Sequence, residues 1–366
     1  MTVVAAFVID THPVVFGDLL ISGVETLGLS LPIVGPVAGL PSNDEGLYGL
    51  RQKIAIISDT CVVAFAGDVF RAQLAIKYLR KRAAEGPITR EVVDHFFMHR
   101  APMLTTVALV GFLTGKNENG QWFIPFSHNA ETFDGGELGH VEAAGRGVKD
   151  IRNWAALGTL SQLDGSIPSS RDRVTAKILM LAGLQLRAEH ANGSPIVESL
   201  CGGGYEIAFM EDGRFQKVDD VSYVIWDAEV VGGDVAIKHP FAIVRQTYVD
   251  DVALIRSIRF DGRPDNGEVE VTHRDWKVVL PAYKDVPGVP IPTPEEVSLN
   301  ARITCHVFLV TCGDDTGVMS HVEVRLPGAP ASITCSDRDG TVRTETSREF
   351  MKFVSKIILG GVGLAT

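Results

Sequence analysis

A threonine directly behind the initiator methionine, Met1-Thr2, places a hydroxyl next to a backbone nitrogen that becomes a free amine once Met1 is removed. A nucleophile and its base then share one residue, an arrangement that can open an acyl bond. The free α-amine has a pKa of about 7.7–8.0, so a sizeable part of it is neutral near pH 7 and able to take a proton. Threonine is small enough at position two for methionine removal. The plainer alternative is that Thr2 only begins a β-strand.

Other chemistries find less support. The five cysteines, Cys61, Cys201, Cys305, Cys312 and Cys335, have no CxxC spacing, which argues against a disulfide framework or a zinc site. His239, His273, His306 and His321 show no ligand spacing and are expected to be structural. The run Cys201-Gly202-Gly203-Gly204-Tyr205 lacks the Lys-Ser/Thr pair and following helix of a phosphate-binding loop. No cofactor and no metal are expected.

Length and charge set the outer limits. A chain of 366 residues implies one large or two ordinary domains, and its 45% hydrophobic content supplies a real core. The net charge of −11, with no basic patch to offset it, excludes nucleic acid and an anionic membrane as default partners. The N-terminus lacks the pattern of a signal peptide, and the lysine-interrupted tail reads as a packed helix. The expected location is the cytoplasm.

The elements that must hold Thr2 are legible from turns and periodicity. Residues 2–9 form an apolar, β-branched run, as for a strand buried on both faces. A turn over Asp10-Thr11-His12-Pro13 leads to a second strand over 14–22. The Gly-, Pro- and Leu-rich stretch that follows, to residue 51, has no period and reads as a long loop or lid. Strands over 53–58 and 61–67 form another hairpin, and Asp68 caps a helix that Gly86-Pro87 stops. A second helix, more strands, a helix pair and a hairpin turning at Asp212-Gly213 complete the order. Two antiparallel sheets face to face between helix pairs satisfy it, giving an α+β, four-layer αββα sandwich.

Over roughly residues 2–228 the chain resembles a proteasome β-type subunit, of the N-terminal nucleophile (Ntn) hydrolase family. Thr2 starts the first strand, Phe16-Gly17-Asp18 sits at the second, and Gln52-Lys53 opens the third. Ala64-Phe65-Ala66-Gly67-Asp68 joins the fourth strand to the first helix, and residues 202–215 carry a Gly-Gly, a strand and an Asp-Gly turn. The resemblance implies that Lys53 favours the developing charge on Thr2, that Asp18 keeps Lys53 charged, and that the Gly67 N–H stabilises the oxyanion. It also implies that Phe65 floors a small substrate pocket, with Val69 beside it. No cofactor is implied. The implied partners are a peptide or small amide substrate, further copies of the chain in a homo-oligomer, and an ATPase.

Three positions depart from the pattern. Arg146 stands where a serine usually supports the amine, and it suits a substrate carboxylate. Glu198 and Cys201 replace the usual aspartate and serine. Glu198 can keep the carboxylate role, and Cys201 reads as a small packed residue. A non-catalytic ring or scaffold subunit is therefore the second expectation, and a narrow-substrate amidase of the same fold the third. Residues 229–366 are expected to form a β-rich extension ending in a helix.

Overall fold

The computed structural model describes residues 2–23, 30–33, 35–36, 46–117, 120–157, 170–191, 201–261, 270–278, 280, 301–325, 333–338 and 341–362. The fold is mixed α+β, mostly strands, with five helices among the described residues. Two compact units emerge. The first comprises Met1–Ile178, Asn192–Val218 and Val278–Pro287, and the second Leu179–Ala191, Asp219–Lys277 and Gly288–Thr366.

The first unit opens with the hairpin β1 (Val3–Ile9) and β2 (His12–Asp18), in which Ile9 faces His12. Asp10 and Thr11 take φ of 45° and 69°, the left-handed pair that a two-residue turn needs to match strand twist. The turn is tighter than the four residues expected, because Pro13 joins the ladder opposite Val8. It does so near the strand's start, where the other neighbour of β2 pairs no further than Val14, so its missing N–H leaves no gap there. The second strand also ends earlier than 22. Leu19 turns its N–H to the carbonyls of Gly202 and Gly204 before β3 (Leu20–Gly23) begins.

The stretch expected as a loop holds further strands, β4 (Ser30–Leu31), β5 (Gly35–Pro36) and β6 (Gly46–Leu50). β3 pairs with β6 and β4 with β5. Then come β7 (Ile54–Ser58), β8 (Cys61–Gly67), α1 (Val69–Glu85), α2 (Arg90–Arg100), β9 (Val107–Asn117) and β10 (Gly120–His128). They are followed by β11 (Glu131–Asp134), β12 (His140–Gly145), α3 (Val148–Leu157), α4 (Ser170–Ala191), β13 (Tyr205–Glu211) and β14 (Arg214–Lys217). Asp68 caps α1 as expected, its side chain accepting from the Arg71 N–H at 2.9 Å.

Two antiparallel sheets result, in the orders β11-β12-β1-β2-β13-β14 and β10-β9-β8-β7. Alternation along β8 shows why its sequence is a continuous apolar run. Val62, Ala64 and Ala66 pack against Val4, Ala6, Val15, Ala208 and Met210 of the six-stranded sheet. Cys61, Val63 and Phe65 point the other way, into Ala72, Ala75, Ile76 and Leu79 of α1 and Val93 and Phe96 of α2. Each of the larger of these side chains contributes about 1.5–3 kcal/mol by leaving water. On the other sheet, α3 contacts β1 and β12.

The second unit is more than a small extension. β15 (Val221–Val231), β16 (Asp234–Val249), β17 (Val252–Asp261), β18 (Glu270–Val278), β19 (Ile303–Cys312) and β20 (Asp315–Val324) form one sheet in the order β18-β17-β16-β15-β19-β20. β15 and β19 run parallel. A hairpin, β21 (Ile333–Arg338) and β22 (Thr341–Thr346), precedes α5 (Arg348–Val362), whose Phe350, Val354 and Ile358 pack on Val224, Trp226, Ile243 and Phe308. The division at Val218/Asp219 precedes the expected residue 228, which falls inside β15.

Candidate functional site

Thr2 sits at the start of β1, 3% exposed, and its hydroxyl is held from two sides. Oγ1 donates to Asp18 Oδ1 at 2.5 Å and accepts from Lys53 Nζ. Lys53 Nζ also donates to Asp18 Oδ1 and to the Leu20 carbonyl, each at 2.5 Å. Asp18 further accepts from the Val3 N–H on Oδ1 and the Gly202 N–H on Oδ2, both at 2.9 Å.

Asp18 is fully buried and Lys53 is 2% exposed, so their ion pair is a desolvated one. Burial pulls the Lys53 pKa below its ordinary value, and Asp18, Cys201 and Glu206 pull it back up. Three oxygens converge on Nζ, matching the three donors of an ammonium. The arrangement presents a cation to Thr2 Oγ1, the place where negative charge develops when a hydroxyl attacks.

Glycines make room for this cluster. Gly145 pairs with Val3 and has φ of +100°, and a Cβ there lies 1.8 Å from the Thr2 carbonyl oxygen. Only glycine fits that close approach. The Gly202 carbonyl accepts from the Leu20 N–H at 2.9 Å, so the glycine run is tied to the chain just beyond Asp18.

The other expected residues that are described lie on neighbouring elements. Gly67 ends β8, exposed, with φ of +96°, on the strand beside β7. Phe65, two residues before it, donates its N–H to the Lys53 carbonyl at 3.2 Å, which puts Gly67 and Lys53 at the same end of the sheet. The Phe65 side chain is 1% exposed among the α1 and α2 core residues, and Val69 is half-buried at the start of α1. Arg146 is exposed immediately after Gly145, and the Gly147 N–H beyond it reaches the Thr2 carbonyl at 3.4 Å. Cys201 is buried, its Sγ 3.0 Å from where a Gly147 Cβ would stand, as befits a packed side chain. Glu198 lies outside the described residues.

Sequence reasoning missed Glu206. It is fully buried on β13 and accepts from the Lys53 N–H on Oε2 at 2.6 Å. The signal was present: an acidic residue shares the inward-facing alternation of Ala208 and Met210, where burial demands a partner.

No protein-family model matches the chain, and no curated protein is similar to it in sequence. Among the described residues no group of three or more His, Cys, Asp or Glu is arranged to hold a metal ion, and no helix is long and apolar enough to cross a membrane.

Proposed function

We propose that the chain is an N-terminal threonine hydrolase of the Ntn, proteasome β-subunit-like kind, which cleaves amide bonds, peptide bonds first among them, through Thr2 once Met1 is removed. One observation carries it: the Thr2 hydroxyl is held between a buried carboxylate and a buried lysine drawn from distant positions. A threonine that merely began a strand has no need of a desolvated ion pair at its hydroxyl, since such a pair costs several kcal/mol per ion to bury.

The chemistry runs as two half-reactions. The Oγ–H turns from Asp18 to the free Thr2 amine and gives it the proton, while Oγ attacks the amide carbon. Lys53 offsets the charge on Oγ, and the Gly67 N–H takes the oxyanion, a donor worth about 3–4 kcal/mol. The protonated amine then hands its proton to the leaving nitrogen, leaving an ester on Thr2. Water gives a proton to the amine, its oxygen attacks the ester, and the acid departs as Oγ regains a proton.

The packing of α1 and α2 on one sheet, and of α3 on the other, supports a four-layer αββα sandwich for the first unit. An extended peptide adding as a strand, ring assembly with further copies, an ATPase partner and a cytoplasmic setting belong to the same proposal. Phe65 and Val69 are assigned to the substrate pocket, and Arg146 to a substrate carboxylate.

The test is intact mass with and without a peptide epoxyketone, which needs both a free N-terminal amine and the adjacent hydroxyl. Loss of Met1 with a one-to-one adduct, absent in Thr2→Ala, is the expected result. Retained Met1 without adduct replaces the proposal with a non-catalytic scaffold, the role that Arg146 and the Glu198/Cys201 pair favour by departing from the family pattern. Loss of Met1 without adduct points to a narrow-substrate amidase.

A further inference from the structure

Behind Lys53 lies a second buried polar cluster that the chemistry above does not use. Glu206 Oε2 accepts from two successive backbone amides, the Lys53 N–H at 2.6 Å and the Ile54 N–H at 3.2 Å. Glu206 Oε1 accepts from Lys217 Nζ at 2.6 Å, and the same ammonium donates to Gln52 Oε1. Gln52 Nε2 in turn donates to the Val278 carbonyl at 2.5 Å. Glu206 and Gln52 are fully buried, and the Lys217 side chain is 10% exposed.

The placement has a structural logic. β7 is the outermost strand of the four-stranded sheet, so the chain leading into it lacks a strand on one side. Neighbouring amides in an extended strand point to opposite sides, yet here both reach one oxygen. A carboxylate that gathers successive N–H groups fixes the local backbone as an anion fixes a nest. Glu206 comes from the opposite sheet, where it pairs with Gly17, beside Asp18. One strand pair thus carries both Asp18 and the carboxylate that holds the backbone of Lys53.

We propose that Glu206, braced by Lys217 and Gln52, is a positioning residue that sets Lys53 Nζ against Thr2 Oγ1 and Asp18. The proposal deepens the amide-hydrolase function above and rests on it for its kinetic consequence. A lysine side chain has four rotatable bonds and no rigidity of its own. Its ammonium reaches a defined point only if the backbone it hangs from is held, and displacement of a reacting group by an ångström costs up to about a hundredfold in rate. Glu206 is also a negative charge facing Lys53, together with Asp18 at the end of β2; the Cys201 side chain lies near it too, and Lys217 on β14 opposes the two carboxylates.

The experiment compares wild type, Glu206→Gln and Lys217→Gln in two measurements. One is the titration of Lys53 Nζ by ¹⁵N-lysine NMR, with the signal assigned from Lys53→Arg. The other is hydrolysis of a fluorogenic peptide amide across pH. Glu206→Gln is expected to move the Lys53 titration to lower pH, since a facing negative charge is gone. It is also expected to lower kcat about tenfold or more at little change in KM, and to shift the alkaline limb of the rate profile downward with Lys53. Lys217→Gln leaves the Glu206 charge in place and is expected to change kcat less, without lowering the Lys53 titration. A merely structural Glu206 lowers the melting temperature and moves neither the titration nor the limb, and that result overturns the proposal. If wild type cleaves no amide, the hydrolase function fails on its own, and the Lys53 titration still decides the role of Glu206. Should Glu206→Gln not fold, Lys217→Gln decides: an unchanged kcat, or in an inactive protein an undisturbed Lys53 signal, refutes the bracing.

Discussion

Replacing Asp18 by Asn keeps the shape of the side chain and removes its charge, which makes Asp18→Asn the sharpest probe of the buried cluster. Asp18 accepts from Thr2 Oγ1, Val3 N–H, Lys53 Nζ and Gly202 N–H, and is fully buried. An amide cannot accept on its NH₂ side, so the partners of one oxygen lose their acceptor, and Lys53 loses its counterion. Removing one member of a buried pair costs about 3–5 kcal/mol. At about 2–4 °C per kcal/mol for a unit of this size, the melting temperature near pH 7 falls by roughly 6–20 °C.

The pH dependence carries the sharper signature. Burial already lowers the Lys53 pKa from its ordinary value of 10.5, and losing Asp18 removes the largest influence that raises it. Between the folded and unfolded pKa values the unfolded chain binds more protons, so stability rises with pH in that window. In Asp18→Asn the window extends to lower pH, because Lys53 can shed its proton and no longer needs a counterion. The deficit against wild type is therefore expected to shrink as pH rises through that widened range below the ordinary lysine pKa. Thermal scans of both proteins across that range provide the assay. A deficit below about 1 kcal/mol at pH 7, in the range of an exposed pair, would refute the desolvated pair, and so would a deficit that pH does not change.

Two further outcomes are expected. Gly145→Ala puts a methyl 1.8 Å from the Thr2 carbonyl oxygen at φ of +100°, so the backbone must move. A loss of about 3 kcal/mol or more is expected by urea unfolding, with loss of epoxyketone labelling as Thr2 is displaced; a wild-type-like variant would contradict the close approach. In the second unit, burial and the neighbouring His306 push the His321 pKa down to about 4, against the pull of Glu323. The unfolded chain then takes up the proton first, so about 3 kcal/mol of stability is lost as pH falls from about 6.5 to about 4. His321 meets Phe350 and Phe353 of α5. Melting temperature against pH is expected to flatten over this range in His321→Gln, and an unchanged slope rules out His321 as its source.

Local chemistry was enough for much of the first unit. The turn at Asp10-Thr11, the cap at Asp68, the helix over Val69–Glu85 and the hairpin at Asp212-Gly213 each depend on residues a few positions apart. Their signals therefore lie within a short window of sequence. The possibility of a reactive Thr2 was legible for the same reason, since its two groups belong to one residue.

Tertiary structure decided what those groups meet. Thr2 bonds Asp18 across 16 positions and Lys53 across 51, and Lys53 N–H meets Glu206 across 153. Such distances are closed by strand register and sheet packing, which no window of neighbouring residues encodes. Strands β4 to β6 escaped notice because they are short and lie in a stretch rich in Gly, Pro and Leu, with pairing partners in place of periodicity. The boundary moved for a related cause: β15 is claimed not only by its hairpin partner β16 but also by β19, far ahead in the chain. Residue types set which chemistry is available near the N-terminus, whereas the burial that makes a lysine and a carboxylate act on one hydroxyl exists only once two sheets close over them.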